Sequence, residues 1–333
     1  MKKIISLGIV TNARALDPED TFFLFANEAI ARPYLRVYTF DVEDVDLKRG
    51  VVHAKRITSP ISYTTRRTLL KKNEALPLVN FNGLFLKKDP PLDANFLRFL
   101  KFLNHKRIPT VNSPQGILTM GTKAYLKHFS SITPKTSYVH RVSQALKAIR
   151  SLKNCVVKQS DSYGGQGVTH VSYEAGQYYF YHGSRRRPIA LTRISHQIKK
   201  ALSQSRDHTL LVVRYLPSAP VRGDRRVVVL GGRILGVYIR LPDPKKGVCV
   251  CANQGAKRCN PTAQDRAIVR IIKPHLKKHG IVLAALDLLA DDSGRECLSE
   301  INVVNPGFLS LHKTHPEYNV AKQVIDSVER QLH

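Results

Sequence analysis

The chain has 333 residues, 43% of them hydrophobic, which is enough to bury a sizeable core in two or three packed domains. No apolar stretch approaches the ~20 residues of a membrane helix, the start lacks the features of a signal peptide, and five scattered cysteines indicate reduced thiols, so we expect a cytoplasmic protein. With 53 Lys and Arg against 25 Asp and Glu, the net charge of +28 attracts anions such as phosphates, acidic metabolites, nucleic acid or an anionic membrane surface.

The first third of the chain alternates between apolar runs of strand length and segments of helical periodicity. A helix is predicted to begin at Asp20 and to end before Pro33, and a second to begin after Asp93 as its cap. Strands are predicted at KIISLGIV, LRVYTF, GVVHAKRI and NGLFLKKDPP, the last of which Pro90 and Pro91 stop. This alternation is typical of an α/β fold with a parallel sheet.

The pattern changes from about Ser113, where strands become more frequent. Helices are predicted at SPQGILTMGTKAYLKHF (as one or two), RVSQALKAIRSL, RISHQIKKALSQ, AQDRAIVRIIKPHLKKHG (interrupted by Pro274) and VAKQVIDSVERQ. Strands are predicted at NCVVKQ, GVTHVSY, QYYFYH, HTLLVVRYLP, DRRVVVLGG, RILGVYIRLP, IVLAALDLLAD and ECLSEINVV. No internal repeat accompanies them. Because the first third alternates strands and helices and the rest is richer in strands, the predicted fold class combines α/β and α+β features.

The basic residues are spread along the whole chain. The densest cluster, GSRRRP at 183–188, is short and consistent with a solvated hairpin tip. No recognised nucleic-acid-binding motif accompanies the charge. A general surface charge is therefore the favoured interpretation, and a nucleic-acid partner is an alternative that we do not favour.

A glycine-containing loop follows the predicted strand that ends near Lys158. In VVKQSDSYGGQGV, glycines allow consecutive backbone N–H groups to surround phosphate oxygens while the lysine supplies positive charge. The spacing is not that of a P-loop, and a strand follows the loop, which predicts a flap over phosphates and not a helix N-terminus. An ordinary glycine turn in a hairpin is the alternative.

Acidic and amide side chains stand in the apolar runs near the C-terminus. Glu300 and Asn302 are two apart on a predicted strand and therefore share a face, and Asp287 ends a neighbouring apolar run. Three oxygen donors suit a hard cation such as Mg²⁺ that bridges substrate phosphates. The alternative interpretation is that these acids face solvent at the strand ends. The lysine and the glycine loop favour the metal site over this alternative.

Several motifs in this order resemble the ATP-grasp superfamily and, within it, the bacterial glutathione synthetase family. They are LGIV, KKDPPLDANF, VNSPQGI, VVKQSDSYGGQGV, YLPSAPVRGDRRVVV, IRLP, ALDLL and SEINVVNPG. The resemblance implies an ATP-grasp fold in three parts. These are an N-terminal pre-ATP-grasp α/β domain (1–118), a central subdomain with the phosphate flap (119–211), and a C-terminal subdomain with the metal site (212–333).

The resemblance also implies roles for individual residues. The catalytic residues would be Arg226 and Arg240, near the acyl phosphate and the γ-phosphate. The ATP-binding residues would be Lys123, Lys158, Gly164, Gly165, Gln166, Gly167, Val213, Tyr215, Leu216 and Asp224, with the backbone of 212–216 binding adenine and Asp224 near the ribose. The metal ligands for Mg²⁺ or Mn²⁺ would be Asp287, Glu300 and Asn302.

One segment departs from the family pattern. After IRLP the family usually has a loop that carries Arg and Asn, and here Val248 and Val250 stand at those positions. If the activity is the same, Lys245, Lys246 or Asn253 must replace the missing groups. A zinc site at Cys249, Cys251 and Cys259 is a minor alternative, because no fourth ligand is spaced for it.

The implied reaction is an ATP-dependent joining of a carboxylate to an amine through an acyl phosphate. The substrates that the resemblance implies are γ-glutamylcysteine and glycine, both small molecules. A ligase for a different amino acid or peptide is the first alternative, and a non-catalytic basic protein that binds nucleic acid is the second. No membrane partner is expected, and association into a homo-oligomer stays open.

Overall fold

The computed structural model describes residues 3–18, 20–71, 74–89, 92–183, 185–243, 248 and 255–332. In chain order the elements are β1 (Ile5–Val10), α1 (Thr21–Ile30), β2 (Leu35–Phe40), β3 (Val45–Asp46), β4 (Val51–Ile57), β5 (Glu74–Pro77), β6 (Gly83–Leu86), α2 (Ala94–His105), β7 (Thr110–Val111), α3 (Pro114–Met120), β8 (Thr136–Val139), α4 (Val142–Leu152), β9 (Asn154–Gln159), β10 (Thr169–Glu174), β11 (Gln177–His182), β12 (Arg185–Ile189), α5 (Leu191–Gln204), β13 (Leu210–Arg214), α6 (Ala219–Arg222), β14 (Asp224–Leu230), β15 (Arg233–Arg240), β16 (Ala256–Cys259), α7 (Ala263–Lys278), β17 (Leu283–Ala290), β18 (Glu296–Asn302), α8 (Leu309–Thr314) and α9 (Val320–Leu332). A 3₁₀ segment, Lys123–Phe129, follows α3.

The first sheet has the strand order β3-β4-β2-β1-β6-β7, with β5 beside β4. The prediction of a parallel sheet is right for β2, β1, β6 and β7, and wrong for β3, β4 and β5, which pair antiparallel. The segment between β2 and β4 is too short for a crossover helix, so the chain returns antiparallel. Asp93 caps α2 as predicted, and Asp20, where the first helix was predicted to begin, caps α1; they accept hydrogen bonds from the backbone N–H groups of Phe96 and Phe22.

The second sheet has the order β12-β11-β10-β9-β13-β8 and is antiparallel throughout. Along β9 and β13, alternate residues are buried against α4 and α5, among them Cys155, Val157, Leu210 and Val212. The residues between them therefore point to the opposite face of the sheet.

The third sheet, of order β16-β15-β14-β17-β18, is also antiparallel. Helix α7 packs on it and was expected to be interrupted at Pro274, but it runs unbroken through this residue. Proline costs a hydrogen bond inside a helix, and the buried face formed by Ile268, Ile272 and Leu276 holds the helix together despite that loss.

The terminal helix α9 returns to the first sheet. Val324, Ile325 and Val328 are fully buried in the same core as Leu7 and Ile9. Arg32, which follows α1, pairs with Asp326 at 2.7 Å and Glu329 at 2.5 Å. Helix α9 therefore packs in the same core as β1 and α1. No helix among the described residues is long and apolar enough to cross a membrane.

Candidate functional site

A cavity of about 230 Å³ opens between the second and third sheets. The predicted site residues that line it are Lys123, Lys158, Gly164, Gly165, Val213, Tyr215, Leu216, Asp224, Arg226, Arg240, Asp287, Glu300 and Asn302. Gln166 and Gly167 lie on the same turn as Gly164 and do not line the cavity. Residues that are far apart in sequence are therefore brought to one place.

The second sheet forms one wall of this cavity through strand alternation. Val156 and Lys158 on β9, and Leu211 and Val213 on β13, face the cavity, because the residues between them face the helices. These four positions are apolar apart from the Lys158 ammonium group, whose Nζ donates to Ser299 Oγ at 3.3 Å, and the sheet also contributes Thr136 and Arg214 to the lining. A flat group that enters between Val156, Leu211 and Val213 meets aliphatic side chains.

The glycine turn covers the same side of the cavity. Gly164, Gly165 and Gly167 have φ values of +58°, +75° and +67°, in the left-handed region that favours glycine. Gln166 N–H donates to the carbonyl of Tyr163 at 2.9 Å and closes the turn. A Cβ on Gly167 would lie 2.7 Å from Gln159 Oε1. The backbone conformation therefore favours glycine at Gly167, and a Cβ there would displace the end of the Gln159 side chain.

Behind the cavity wall, three aromatic rings are stacked. His170 lies between Tyr181 and Tyr215, with centroid distances of 3.8 and 3.9 Å. Its Nε2 pairs with Asn154 Oδ1 at 2.6 Å, and the Asn154 carbonyl accepts from Tyr215 N–H at 3.1 Å. Burial lowers the pKa of His170 to about 4, so the ring is neutral at physiological pH. Tyr215, which lines the cavity, is thus held by its ring and by its backbone.

The third sheet brings two arginines and two carboxylates together. Strand register places Asp224 opposite Arg240, and Arg226 opposite Asp287. Arg226 donates from Nε and Nη2 to the two Asp287 oxygens at 2.7 and 2.8 Å. Arg240 bridges the acids, donating to Asp287 Oδ2 at 2.8 Å and to Asp224 Oδ1 at 2.7 Å. Two cations and two anions therefore form one buried network.

The charge state of Asp287 follows from that network. Burial by itself would raise the pKa of this carboxyl, but the adjacent charges of Arg226 and Arg240 outweigh it and lower the pKa to about 2. The neighbouring Asp224 has its pKa raised, because it is buried and close to the Asp287 charge. Asp287 is consequently the stable anion of the pair at neutral pH.

A bulge in β18 sets the direction of the side chains at the metal-ligand positions. Asp287 pairs with Glu300, but Leu288 pairs with Leu298, so Ser299 is an extra residue in the ladder. As a result Ser299 and Glu300 both line the cavity. Glu300 lies 3.1 Å from Lys123 Nζ, and Asn302 Nδ2 donates to Asp287 Oδ2 at 3.0 Å.

The chemistry of these groups fits a hard cation. Asp287, Glu300 and Asn302 offer two carboxylates and an amide oxygen, the donors that Mg²⁺ prefers. The hydrogen bond from Asn302 uses its amide nitrogen and leaves the oxygen available. Within the described part of the chain, no three His, Cys, Asp or Glu side chains are grouped to hold a metal. The amide and substrate oxygens would therefore have to complete the coordination.

Several cavity residues were missed in the sequence, among them Ser299, Tyr163 and Asn305. Ser299 was missed because strict strand alternation turns it away, and only the bulge redirects it. Tyr163, Val248 and Asn305 also line the cavity. Asn305 stands three residues after Asn302 in INVVNPG, and a second amide so close to a predicted ligand was the available signal.

The divergent loop is only partly described. Val248 lines the cavity, which places an apolar side chain there. The predictions for Lys245, Lys246, Cys249, Val250, Cys251 and Asn253 lie outside the described residues. Cys259 is half-buried, and its sulfur accepts from Arg225 Nη1 at 3.3 Å.

Comparison with known proteins gives two family matches. The profile of the prokaryotic glutathione synthetase N-terminal domain matches residues 6–117, and that of the prokaryotic glutathione synthetase ATP-grasp domain matches residues 190–314. Glutathione synthetase of Citrobacter rodentium is 26% identical over 338 residues, 99% of each chain. That of Buchnera aphidicola subsp. Schizaphis graminum is 22% identical over 343 residues, 100% of this chain and 99% of the relative.

Solved structures share the fold. A D-cycloserine synthetase has a TM-score of 0.69 at 15% identity, covering 98% of this chain and 100% of its own. D-alanyl-alanine synthetase A from Vibrio cholerae has a TM-score of 0.64 at 12% identity, covering 100% and 99%. An ATP-grasp ligase from Chryseobacterium gregarium, in complex with ADP and a leader and core peptide, has a TM-score of 0.62 at 13% identity, covering 98% and 97%.

Proposed function

Because this chain belongs to the prokaryotic glutathione synthetase family and is an ATP-dependent carboxylate–amine ligase, we propose that it joins γ-glutamylcysteine to glycine. The cysteine carboxylate would attack the γ-phosphoryl group of ATP and displace ADP. The glycine amine would then attack the acyl phosphate and release phosphate, so that glutathione forms. The observation that carries this proposal is the pair of domain matches, together with the convergence of the predicted residues on one cavity.

We propose that Lys123 and Lys158 bind the nucleotide phosphates. Both side chains line the cavity. Their neighbours, Glu300 and Ser299, orient them in advance. Because little covalent chemistry is required of the protein in phosphoryl transfer, such preorganised charges supply most of the rate enhancement. The flap, 164–167, would cover the phosphates with its backbone N–H groups.

The two proposed catalytic arginines have different accessibility. The Arg226 side chain is 10% exposed and is bound on both Asp287 oxygens, whereas the Arg240 side chain is 24% exposed. We assign Arg240 to the transferring phosphoryl group and the acyl phosphate oxygen. Arg226 would hold Asp287 in the orientation that the site requires. Asp224, held by Arg240, would lie near the ribose.

We assign Asp287, Glu300 and Asn302 as the residues that hold Mg²⁺ or Mn²⁺. When bound, the ion supplies positive charge to the phosphate oxygens. The Asp287 carboxylate is ionised at neutral pH, since its pKa lies at about 2, and a metal would replace one of the hydrogen bonds that its oxygens accept from Arg226, Arg240 and Asn302. The apolar faces of Val213 and Leu216, with the 212–216 backbone, would receive the adenine.

We also propose that the chain is divided into three parts, with boundaries after residues 118 and 211. The nucleotide would bind between the central and C-terminal parts. Strand β13 spans the second boundary and pairs within the second sheet. A cytoplasmic location is proposed on the basis of the small-molecule substrates.

A ligase for another amino acid or peptide is the second candidate. The observation in its favour is Val248, an apolar cavity residue where the family pattern leads us to expect a polar one. Valine can neither neutralise a phosphate nor hydrogen-bond an amine. The nucleotide half of the site would be the same in both candidates.

Product formation by mass spectrometry decides between them. The purified chain is incubated with Mg-ATP, γ-glutamylcysteine and glycine, and in parallel with panels of other carboxylates and amines. Abundant glutathione supports the proposal. Binding of ATP without glutathione, together with ADP release on another substrate pair, favours the second candidate. A Glu300→Gln variant shows how much turnover depends on the assigned site.

A further inference from the structure

Lys87 and Asp89 contact Asn305, a cavity residue to which the proposed roles give no function. Strand β1 lies between β2 and β6 in the first sheet. Helix α1 connects β1 to β2 on one side, and helix α2 connects β6 to β7 on the other. The carboxyl ends of β1 and β6 therefore form the switch point of the parallel strands, where open α/β sheets bind ligands. Lys87 and Asp89 follow β6 there, beside Asp20 at the start of α1.

Lys87 is a buried cation, only 1% exposed. Its ammonium group donates to Thr21 Oγ1 and to Asn305 Oδ1, and lies 5.6 Å from the centroid of the Phe25 ring. Burial lowers the pKa of Lys87, while the nearby charges of Asp20 and Asp89 act in the opposite direction. Burying an amine so deeply is costly unless it is hydrogen-bonded and lies close to opposite charges.

Asn305 is held between opposite charges. Its Oδ1 accepts from Lys87, and its Nδ2 donates to Asp89 Oδ1. The amide can satisfy a cation and an anion together in only one orientation, so these two residues fix it. Asn12 Oδ1 in turn accepts from the backbone N–H of Asp89 at 2.7 Å. Asn305 itself lines the cavity.

The chain after Asn305 contacts the arginine network. The carbonyl of Pro306 accepts from Arg226 Nη1 at 3.3 Å, and the carbonyl of Gly307 accepts from Tyr238 Oη at 2.9 Å. Segment 305–307 is therefore held by the first sheet on one side and by the third sheet on the other.

We propose that Lys87 and Asp89 are positioning residues that clamp Asn305 against the end of the cavity where the acyl donor binds. This inference rests on the proposed ligase function. The residues assigned to adenine and ribose come from β13, the segment that follows it and β14, and Lys123, assigned to the phosphates, lines a smaller cavity together with Asn305. The end of the cavity that faces the first sheet is the one left for the carboxylate substrate.

A charge swap tests the clamp. Asn305→Asp places a carboxylate against Asp89 and removes the donor. In the double variant Asn305→Asp, Asp89→Asn, the new amide can donate to the new carboxylate, and Lys87 keeps its acceptor. Asp89→Asn alone retains an acceptor for Asn305 and should be the mildest change. Asp292→Asn, on an exposed turn, is the matched control.

Steady-state kinetics with Mg-ATP, γ-glutamylcysteine and glycine give the first readout. A hydrogen bond to a charged group is worth ~1.5–3 kcal/mol, so Asn305→Asp should raise KM for γ-glutamylcysteine at least about tenfold, with KM for ATP within about twofold of wild type. The double variant should recover most of the loss. Equal increases in both KM values, an unchanged KM for the donor, or no recovery would overturn the proposal.

Hydrogen exchange across 303–308 gives a second readout that needs no acyl donor. Asn305→Asp should raise exchange there, and the double variant should restore it, while global unfolding by urea shows that each variant folds. Unchanged exchange in a folded Asn305→Asp overturns the clamp. A wild type that forms no glutathione overturns the proposed substrate instead, because the exchange result stands independently.

Discussion

Each proposed phosphate-binding lysine has a defined partner at the residue scale. Lys123 lies 3.1 Å from Glu300, and Lys158 donates to Ser299 at 3.3 Å. Both partners belong to β18, so one strand orients two cations that come from different parts of the chain. Such preorganisation lowers the cost of arranging charge when the phosphoryl group is transferred.

Lys158→Ala should reduce ligase turnover by at least about 100-fold, because it removes a charge aimed at the phosphates. ADP release under saturating substrates measures this. Lys199→Ala, on the exposed face of α5, is the control with the same change in net charge and should behave as wild type. Full turnover in a folded Lys158→Ala variant would remove this lysine from the site.

His170 links the cavity wall to the pH dependence of stability. Its pKa is about 4 in the fold, against an ordinary value of 6.5, because it is buried between Tyr181 and Tyr215. Between those pH values the unfolded chain binds a proton that the native protein does not. Stability therefore falls as the pH is lowered from about 6.5 to about 4.

His170→Phe should weaken this dependence, since phenylalanine keeps a ring in the stack and cannot be protonated. Urea denaturation at several pH values between 4.5 and 7 measures the free energy of unfolding of both proteins. We expect a shallower decline in the variant, although its stability at pH 7 should be lower because the hydrogen bond to Asn154 is lost. Parallel curves would exclude His170 as the titrating group.

At the scale of elements, the glycine turn between β9 and β10 shows two different requirements. Gly164 and Gly167 both have positive φ. A Cβ on Gly164 would meet nothing within 4 Å, whereas one on Gly167 would lie 2.7 Å from Gln159 Oε1. Substitution of Gly164 therefore adds only backbone strain, and substitution of Gly167 also displaces the end of the Gln159 side chain, whose Nε2 donates to the Ala201 carbonyl at 3.1 Å.

Gly167→Ala should consequently raise KM for ATP more than Gly164→Ala does. The left-handed conformation costs alanine ~1–2 kcal/mol, so Gly164→Ala should shift the free turn to other conformations, and restoring the one that covers the phosphates should weaken ATP binding by up to about 30-fold, with a larger effect for Gly167→Ala. Steady-state kinetics at varied ATP compare the two. A smaller effect at Gly167 would show that the shape of this turn does not control nucleotide binding.

The edge strand β12 accounts for the densest basic cluster. Arg185, Arg186 and Arg187 were expected at a hairpin tip, but they lie on β12 and are exposed. Arg186 pairs with Glu174 at 2.6 Å and covers the ring of Tyr179. Charged residues and a proline on an edge strand hinder pairing with another chain, which is a structural explanation for part of the net charge.

At the scale of the whole molecule, the cavity is lined by residues of both the second and the third sheet. A ligand that contacts both should stabilise their arrangement. At 100 times Kd, a ligand that binds only the native state adds ~2.7 kcal/mol to the free energy of unfolding.

Mg-ATP should therefore raise Tm by several degrees, and chelation of the metal should remove most of that increase without unfolding the protein. Thermal unfolding followed by circular dichroism measures both effects. The Glu300→Gln variant should show a smaller increase. An equal increase in the presence of excess chelator would contradict the assignment of Asp287, Glu300 and Asn302 to a metal.

Local patterns in the sequence determined the elements and many of the site residues. The caps at Asp20 and Asp93, the glycine turn and the shared face of Glu300 and Asn302 depend on neighbours within a few residues, which are visible in the sequence itself. The family motifs supplied the remaining predicted residues, because their order along the chain is also a property of the sequence.

Only the tertiary structure decided how these pieces meet. The bulge that redirects Ser299, the pairing of Asp287 with Arg226 and Arg240, and the position of Asn305 between Lys87 and Asp89 join residues that are distant in sequence or depend on strand register. Helix α9 likewise packs on the first sheet, although it ends the chain. Local propensity carries no information on such contacts, because they are selected by packing and by the pairing of buried charges.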